Sequence, residues 1–430
     1  MVRETKGITL IALAVTIVVI LILSTVSINA IFSRQGMLKQ AEQTRELQSN
    51  IEQHEDEKNN NLSDQYNNML AQTQGLPKGP NGKVLVTALT EKQEITIEAE
   101  DKNGNKVVVP GGFKVRSDIG KTVQDGIVIE DIIGNQFVWI PVSNINGDGS
   151  NEIVKNDGSK IEITLGRYTF ASNSASTPGK PTIIQKGSEY ADENVNNKYT
   201  IESLFEELNV ERISNGSAAV GGTNTTAKDL KRFVESVEKN NGYYLARYEA
   251  SFGSGDTSAT ITNQKPYSIE SKKYSVTAMT YEKGTLWNFI KQPDAAKVCK
   301  NMYANDTYIE SDLTNSYAWD TAIVYIQNCS NNSNYSNANR ETVGNTNLLN
   351  TGETRDKVCN IYDMASNLLE WTTEYTKYTA DDNVVYPWNS RGGAYNLNSN
   401  NNCVKSRHSH YPSTSGGGVS VSFRPIIYCK

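Results

Sequence analysis

Three residues near the C-terminal end of the chain have the types and the spacing of metal ligands. His408 and His410 are separated by one residue, and Cys403 lies shortly before them. Residues two apart on a strand point to the same side, so the two imidazoles can bind one metal ion. Zinc needs three or four protein ligands, and no further ligand is evident in this pattern. The histidines therefore favour a second use, as polar contacts in a surface binding loop.

The segment that contains these histidines is rich in residues that make adaptable contacts. Residues 395–421 read YNLNSNNNCVKSRHSHYPSTSGGGVSV. Tyrosine supplies amphipathic contact area, and serine, asparagine and glycine supply hydrogen bonds, as in binding loops. A bias of the genome towards asparagine codons is the alternative, because a similar tract occurs at residues 328–339. The predicted ligand-contact residues are Tyr395, Asn396, Asn398, Asn400, Asn401, Lys405, His408, His410 and Tyr411.

Composition argues against several classes of function. The chain has 430 residues and a formal net charge of −6 without a basic block, so no nucleic acid is expected as a partner. Its five cysteines include no C-x-x-C pair, which argues against a zinc site. The nucleotide-binding and hydrolase motifs GxGxxG, GxxxxGK[ST] and GxSxG are also missing from the sequence. We therefore expect the functional residues to be binding residues on the protein surface.

The N-terminal region predicts how that surface is displayed. Ile8–Phe32 contains no charged residue and, at about 25 residues, is long enough to cross a bilayer as a helix. Arg3 and Lys6 precede it, which predicts a cytoplasmic N-terminus and an extracellular C-terminal head. The predicted localisation is the cell membrane, in a single pass, with residues 8–32 in the membrane. A plain uncleaved anchor and a secretory signal peptide are the alternatives.

The remaining elements predict an α+β fold. Helix formers without proline extend the first helix into a helical stalk, over residues 8–76 in total, and Pro77–Gly82 marks a boundary. Short alternating strands dominate residues 83–135, whereas residues 136–430 mix strands and helices without regular βαβ alternation. The helices are predicted at Ala227–Lys239, Tyr281–Tyr303 and Trp319–Gln327.

The first residues resemble the processing site of type IV pilins and pseudopilins. Residues 1–7 are a short polar leader that ends in Gly7, and an apolar helix starts at Ile8. The resemblance implies cleavage between Gly7 and Ile8 by a prepilin peptidase, association with other pilins and a pilus-associated location. Those families usually carry glutamate at the fifth mature position, where this chain has Ala12. That departure indicates a minor subunit or a monomeric anchor.

Six anchors in order resemble the formylglycine-generating-enzyme/sulfatase-modifying-factor domain, over about residues 136–428. The resemblance implies a C-type-lectin-like fold. The oxidase members bind copper through two cysteines after the Arg-Gly-Gly motif, and this chain has only Cys403 there, so neither copper nor enzyme activity is expected. The anchors are Phe137–Val142, Gly242–Ser251, Ala318–Asp320, Asn360–Thr372, Arg391–Tyr395 and Ser422–Pro425.

The same resemblance implies a calcium site. Family members bind the ion around the segment that matches Asn367 and Glu370, with Asp363 and Asn360 nearby, and hard oxygen ligands suit calcium. Ser366 stands where the family has glycine. The alternative is structural: Asn367 as a helix cap and Glu370 as a buried ion-pair partner.

The lectin-like fold also occurs in the variable proteins of diversity-generating retroelements, whose segment between the Arg-Gly-Gly and Phe-Arg motifs is mutated at adenines. Residues 395–421 of this chain resemble that segment. The predicted function is a surface-displayed, membrane-anchored protein whose C-terminal loops bind an external protein or glycan. The alternative function is a structural subunit of a pilus or of a secretion filament.

Overall fold

The described part of the chain consists mainly of β-strands. The computed structural model describes residues 71, 73–143, 152–170, 182–183, 189–192, 197–200, 230–253, 265–273, 283–375, 388–397, 402–410 and 418–430. Residues 72–430 belong to one compact unit. Three α-helices lie wholly within the described residues: α1 (Leu230–Asn240), α2 (Gln292–Met302) and α3 (Ser316–Cys329). The strands are β1 (Val84–Leu85), β2 (Ile97–Glu100), β3 (Lys106–Val109), β4 (Phe113–Val115), β5 (Val128–Asp131), β6 (Gln136–Pro141), β7 (Ile153–Val154), β8 (Lys160–Ile161), β9 (Tyr168–Thr169), β10 (Thr182–Ile183), β11 (Glu189–Asp192), β12 (Asn197–Thr200), β13 (Gly242–Ala246), β14 (Ser251–Phe252), β15 (Pro266–Tyr267), β16 (Ile309–Leu313), β17 (Lys357–Val358), β18 (Ile361–Tyr362), β19 (Leu369–Tyr375), β20 (Trp388–Arg391), β21 (Arg407–His410), β22 (Val421–Phe423) and β23 (Pro425–Cys429).

The largest sheet has six antiparallel strands in the order β16-β23-β13-β6-β5-β4. Strand β6 carries the run Phe137–Ile140, in which every side chain is fully buried. A continuous apolar run of this length is typical of a strand that is covered on both faces. Strands β4 and β5 come from the predicted segment 83–135, and the other four strands come from the predicted segment 136–430. The two segments therefore share one sheet.

Helix α3 connects the two sheets that matter for the site. It begins after Asn315, whose side chain accepts a hydrogen bond from the backbone N–H of Ala318 at 2.9 Å. This bond satisfies one of the free donors at the helix N-terminus. Nearly every side chain of α3 is buried, and the helix packs against both β6 and β19. Its residues Trp319 and Asp320 are thereby held beneath the second sheet.

The second sheet has four strands in the order β21-β20-β19-β22. Strands β19 and β22 are parallel, the other pairs are antiparallel, and the register of β19 against β20 shifts between Trp371 and Tyr375. A separate hydrophobic cluster covers part of this sheet. It includes Trp287, Ala295, Val298, Trp371, Trp388 and Phe423.

Several predicted elements are confirmed, with altered bounds. Helix α1 is found over the described part of the predicted helix Ala227–Lys239, and α3 is longer than predicted. The predicted helix Tyr281–Tyr303 is shorter in the structure, because α2 begins only at Gln292. Pro293 lies in its first turn, where a missing N–H costs nothing, whereas it would break the interior of a longer helix.

The predicted fold class, α+β with an N-terminal transmembrane helix and a helical stalk, is corrected by the structure. Beyond residue 80 the apolar residues form short strands, so the described part is mainly β. Within the described residues no helix is long and apolar enough to cross a membrane. The helices there have 11, 11 and 14 residues, or about 16–21 Å, whereas a bilayer core is about 30 Å thick.

The predicted single-pass membrane localisation and the pilin-like character are corrected by the same finding and are not retained. The apolar segment 8–32, the processing residues Gly7 and Ile8, and the stalk up to residue 70 lie outside the described residues.

Candidate functional site

The two histidines singled out in the sequence lie on one face of the second sheet. His408 is opposite Ser390 and His410 is opposite Trp388 in the antiparallel register, so these side chains share a face. His410 Nε2 lies 2.7 Å from Ser390 Oγ, and its ring contacts Trp371 edge-on with centroids 4.5 Å apart. This Trp–His face packs towards the second hydrophobic cluster rather than standing free at the surface.

Burial controls the charge of both histidines. It lowers the pKa of His408 to about 4 and the pKa of His410 to about 3. Both imidazoles are therefore neutral at pH 7 and cannot act as cationic contacts. Cys403 lies elsewhere, buried with its Sγ 3.3 Å from Ser406 Oγ. Among the described residues no group of three or more histidines, cysteines and acids is arranged to hold a metal ion.

The opposite face of the sheet carries a buried ion-pair network. We call Arg167, Asp320, Glu374, Arg391 and Arg407 the arginine network; each of them is at most 2% exposed. Arg391 donates to Asp320 Oδ1 at 2.6 Å and to Glu374 Oε2 at 3.1 Å. Arg407 donates to Glu374 Oε1 at 2.8 Å and to Asp320 Oδ2. The network links β19, β20 and β21 to helix α3.

The neighbouring arginines keep Glu374 of this network ionised. Burial alone acts to raise the pKa of Glu374, but Arg167, Arg407 and Arg391 outweigh it and lower the pKa to about 2. Arg391 also donates from Nε to the backbone oxygen of Ser406 at 3.0 Å. The network therefore fixes both the strand register and the segment that precedes β21. Two of its residues lie in sequence motifs, Arg391 in the Arg-Gly-Gly motif and Asp320 in Ala318–Asp320, but nothing in the sequence links the two motifs.

A second buried cluster surrounds Arg424. We call Glu249, Asp356, Asp363, Glu370 and Arg424 the acid cluster. Arg424 donates from Nη2 to Glu370 Oε1 at 2.6 Å and from Nε to Glu370 Oε2 at 2.8 Å. Burial, together with the neighbouring Asp363 and Glu370, raises the pKa of Glu249 well above its usual value. Burial also raises the pKa of Asp363 to about 8, so that this side chain is mostly protonated at pH 7.

One predicted calcium ligand, Glu370, belongs to the acid cluster, and the other, Asn367, donates a hydrogen bond to its member Glu249. Both oxygens of Glu370 accept hydrogen bonds from Arg424. Asn367 accepts from the backbone N–H of Leu349 at 3.1 Å and donates to Glu249 at 2.6 Å. A cation at these oxygens would have to displace the guanidinium, so the two side chains do not fit calcium in this arrangement. Calcium binding stays a prediction.

Three loops meet next to the acid cluster and form a surface that we call the loop face. Asn396 is exposed and donates to Ser420 Oγ at 3.0 Å, which joins the loop after β20 to the loop before β22. Arg340 donates to the backbone oxygen of Tyr395 at 2.7 Å, which adds the third loop. The backbone N–H of Tyr395 donates to Asn367 at 3.0 Å. The loop face consists of Arg340, Tyr395, Asn396, Leu397 and residues 418–420.

The nine predicted contact residues divide into four groups. Tyr395, which is half-buried, and the exposed Asn396 lie together on the loop face. His408 and His410 lie on the Trp–His face, and Lys405 is buried at 9% exposure. The structure thus separates residues that the sequence grouped. Asn398, Asn400, Asn401 and Tyr411 lie outside the described residues.

A polar cleft near the N-terminal strands was not anticipated from the sequence. It has a volume of about 260 Å³, and its lining includes Lys83, Glu100, Lys106 and Asn241. Lys106 Nζ lies 3.3 Å from Asn241 Oδ1 and 3.1 Å from Glu98. The cleft mixes charges of both signs and, in its described lining, favours no single class of ligand.

Comparison with known proteins adds no assignment. No family model matches the chain, and no curated protein or solved structure matches it either. The resemblance to the sulfatase-modifying-factor domain, and with it the expected lack of copper and of enzyme activity, therefore stays a prediction.

Proposed function

We propose that the protein binds a ligand, a protein or a glycan, through the loop face, with the segments of residues 395–421 that flank the stretch 403–410 supplying the main contacts. The observation that carries this proposal is the geometry of Tyr395 and Asn396. Asn396 is exposed and Tyr395 is half-buried beside it, and hydrogen bonds from Arg340, to Ser420 and to the backbone oxygen of Asn367 hold their loop in place. A loop that is ordered before binding loses less conformational entropy when it binds.

The support beneath the loop face fits this role. Glu249 of the acid cluster accepts a hydrogen bond from Asn367, and the backbone oxygen of Asn367 accepts one from Tyr395. Arg391 of the arginine network fixes strand β20, from which the loop emerges. Binding residues are typically presented by loops on a rigid scaffold. Tyrosine and asparagine next to a partly exposed arginine also match the composition of binding surfaces.

The predicted contact residues of the C-terminal segment have different roles in the folded chain. Tyr395 and Asn396 are contact residues, whereas Lys405, His408 and His410 support the sheet because they are buried or half-buried within it. Asn398, Asn400, Asn401 and Tyr411 stay predicted contacts.

The test is to select ligands and then to alter the loop face. The labelled full-length protein is applied to a glycan array and to a peptide library displayed on phage, and the dissociation constant of each selected ligand is measured. We expect Tyr395→Ala combined with Asn396→Ala to weaken binding at least about tenfold, as for central residues of an interface. Asn331→Ala, at another exposed asparagine, is the matched control.

The outcomes separate the proposal from its alternatives. Loss of binding in the double variant, with unchanged Tm and with binding intact in the control, supports the loop face as the contact surface. Selected ligands that bind the double variant as tightly as the parent protein place the contact elsewhere and refute the proposal.

A further inference from the structure

The charges of the arginine network do not balance. Counted over the part of the chain that the structure describes, three arginines, Arg167, Arg391 and Arg407, face two carboxylates, Asp320 and Glu374, and all five side chains are buried. A positive charge in excess therefore lies in a region from which water is excluded. An unneutralised buried charge costs several kcal/mol, and proteins normally pair such a charge or bind a counterion.

The excess is concentrated on Arg167. Its Nη2 donates to Glu374 Oε1, but its Nε and Nη1 are buried and have no hydrogen-bond partner among the described residues. These two nitrogens carry most of the N–H groups of a guanidinium. Arg391, in contrast, donates from Nε, Nη1 and Nη2.

Every oxygen of the two carboxylates already accepts a hydrogen bond, and none of these oxygens accepts one from Arg167 Nε or Nη1. Asp320 Oδ1 accepts from Arg391, and Oδ2 accepts from Arg407 and from the backbone N–H of Tyr168 at 2.9 Å. Glu374 Oε1 already serves Arg167 and Arg407, and Oε2 serves Arg391. An additional acceptor has to come from outside the network.

Arg167 is also fixed in position. The backbone on either side of it is docked on α3, because Gly166 donates to Thr321 Oγ1 at 3.2 Å and Tyr168 donates to Asp320. Its side chain is 2% exposed. The backbone contacts hold the guanidinium within the network, so that turning it out to solvent would require this segment to detach from α3.

We propose that Arg167 binds a small monovalent anion through Nε and Nη1. The ligand class is a compact acceptor of one negative charge, either chloride or the carboxylate of a small organic acid such as acetate. One such anion makes the network neutral and satisfies the unpartnered donors of Arg167. The site lies in the network beneath the second sheet and does not depend on the loop face being a binding surface.

The experiment measures the Tm of the full-length protein at constant ionic strength in the sodium salt of a bulky sulfonate, with chloride or acetate replacing the sulfonate stepwise. We expect a saturable rise of about 5 °C with the anion that fits. Chloride and acetate are separate arms, so they distinguish a halide from a carboxylate. Arg167→Met is expected to abolish the rise. Arg116→Met, which removes a partly exposed arginine, is the control and should keep it.

The variant has a second signature that a merely structural role would not produce. In the sulfonate salt Arg167→Met should be at least as stable as the parent protein, because it removes the unneutralised charge. In the anion that fits, the parent protein should be the more stable of the two. A Tm that is independent of the anion, or an equal response in Arg167→Met, overturns the proposal.

A measurement on the unaltered protein covers the case in which Arg167→Met does not fold. Crystals grown or soaked in bromide should show an anomalous peak within hydrogen-bond distance of Arg167 Nε or Nη1. With acetate as the fitting anion, the matching result is planar density at that position in crystals grown in acetate. If neither anion gives a peak there, the proposal is refuted.

Discussion

Replacing Asp320 by asparagine tests whether the arginine network stabilises the second sheet. Asp320 is fully buried and accepts hydrogen bonds from Arg391, Arg407 and the backbone of Tyr168. Asparagine has nearly the same volume, so no cavity forms and the change isolates the charge. It leaves three arginines with one carboxylate, and its amide N–H₂ points a donor at groups that are themselves donors.

The expected loss follows from this geometry. Breaking a buried ion pair by removing one partner costs about 3–5 kcal/mol. Asp320 accepts hydrogen bonds from two arginines, but both arginines keep Glu374 as a second partner. We therefore expect the free energy of unfolding to fall by about 4 kcal/mol, the cost of one broken ion pair rather than two. This is a large share of the stability of an ordinary domain and corresponds to a fall in Tm of about 10 °C.

Urea unfolding followed by tryptophan fluorescence is a suitable assay, because all five tryptophans are buried and report loss of the core. Asp118→Asn is the control: it removes the same charge from an ion pair with Arg116 in which Asp118 is 62% exposed, and should cost less than about 1 kcal/mol. A double-mutant cycle of Asp320→Asn with Arg391→Gln should show strong coupling. A loss no larger than that of Asp118→Asn, or purely additive effects in the cycle, would refute the reasoning.

Three further predictions concern the acid cluster and the loop face. The pKa of Asp363 is raised by burial to about 8, so folding favours its protonated form, and the free energy of unfolding should fall as the pH rises from about 4 to about 8. Asp363→Asn, which is neutral at every pH, should lose less over this range in urea unfolding; an unchanged pH dependence would contradict the assignment. Gly393→Ala would place a methyl group 2.2 Å from the backbone oxygen of Ala365 and should lower the Tm by several degrees, whereas Gly418→Ala, with no atom nearer than 3.9 Å, should be near neutral. If a retroelement diversifies residues 395–421, sequencing of sibling genes should find substitutions at the exposed Asn396 and few in the buried segment 403–407; equal variation in both would count against it.

Local patterns predicted many individual elements of the fold. The strands expected within residues 83–135 are found there, among them the valine-rich β3. Helices α1 and α3 were expected close to their observed positions. These predictions succeed because the period of apolar residues, turn residues and caps act over a few neighbouring positions.

The candidate site could not be predicted in the same way. The sequence grouped Asn396, Lys405 and His410 by composition, whereas the structure puts the first at the surface, buries the second and packs the third against Trp371. Burial depends on which strands pair and what covers them, and composition carries no information on that. The predicted fold class was wrong for a related reason: the described part is mainly β, because most apolar runs beyond residue 80 pair as strands, and the pairing depends on tertiary contacts.

By itself, the sequence determined the chemistry that is present: an acidic chain without basic blocks, a C-terminal segment rich in asparagine and tyrosine, and the short apolar runs that become strands. Only the tertiary structure decided which of these groups meet. Asp320 and Arg407 are 87 residues apart in the chain and share a hydrogen bond, and Arg167 reaches Glu374 across 207 residues. Contacts of that separation form when whole elements pack together, so the charge balance of the network, and with it the proposed anion site, appears only in the folded chain.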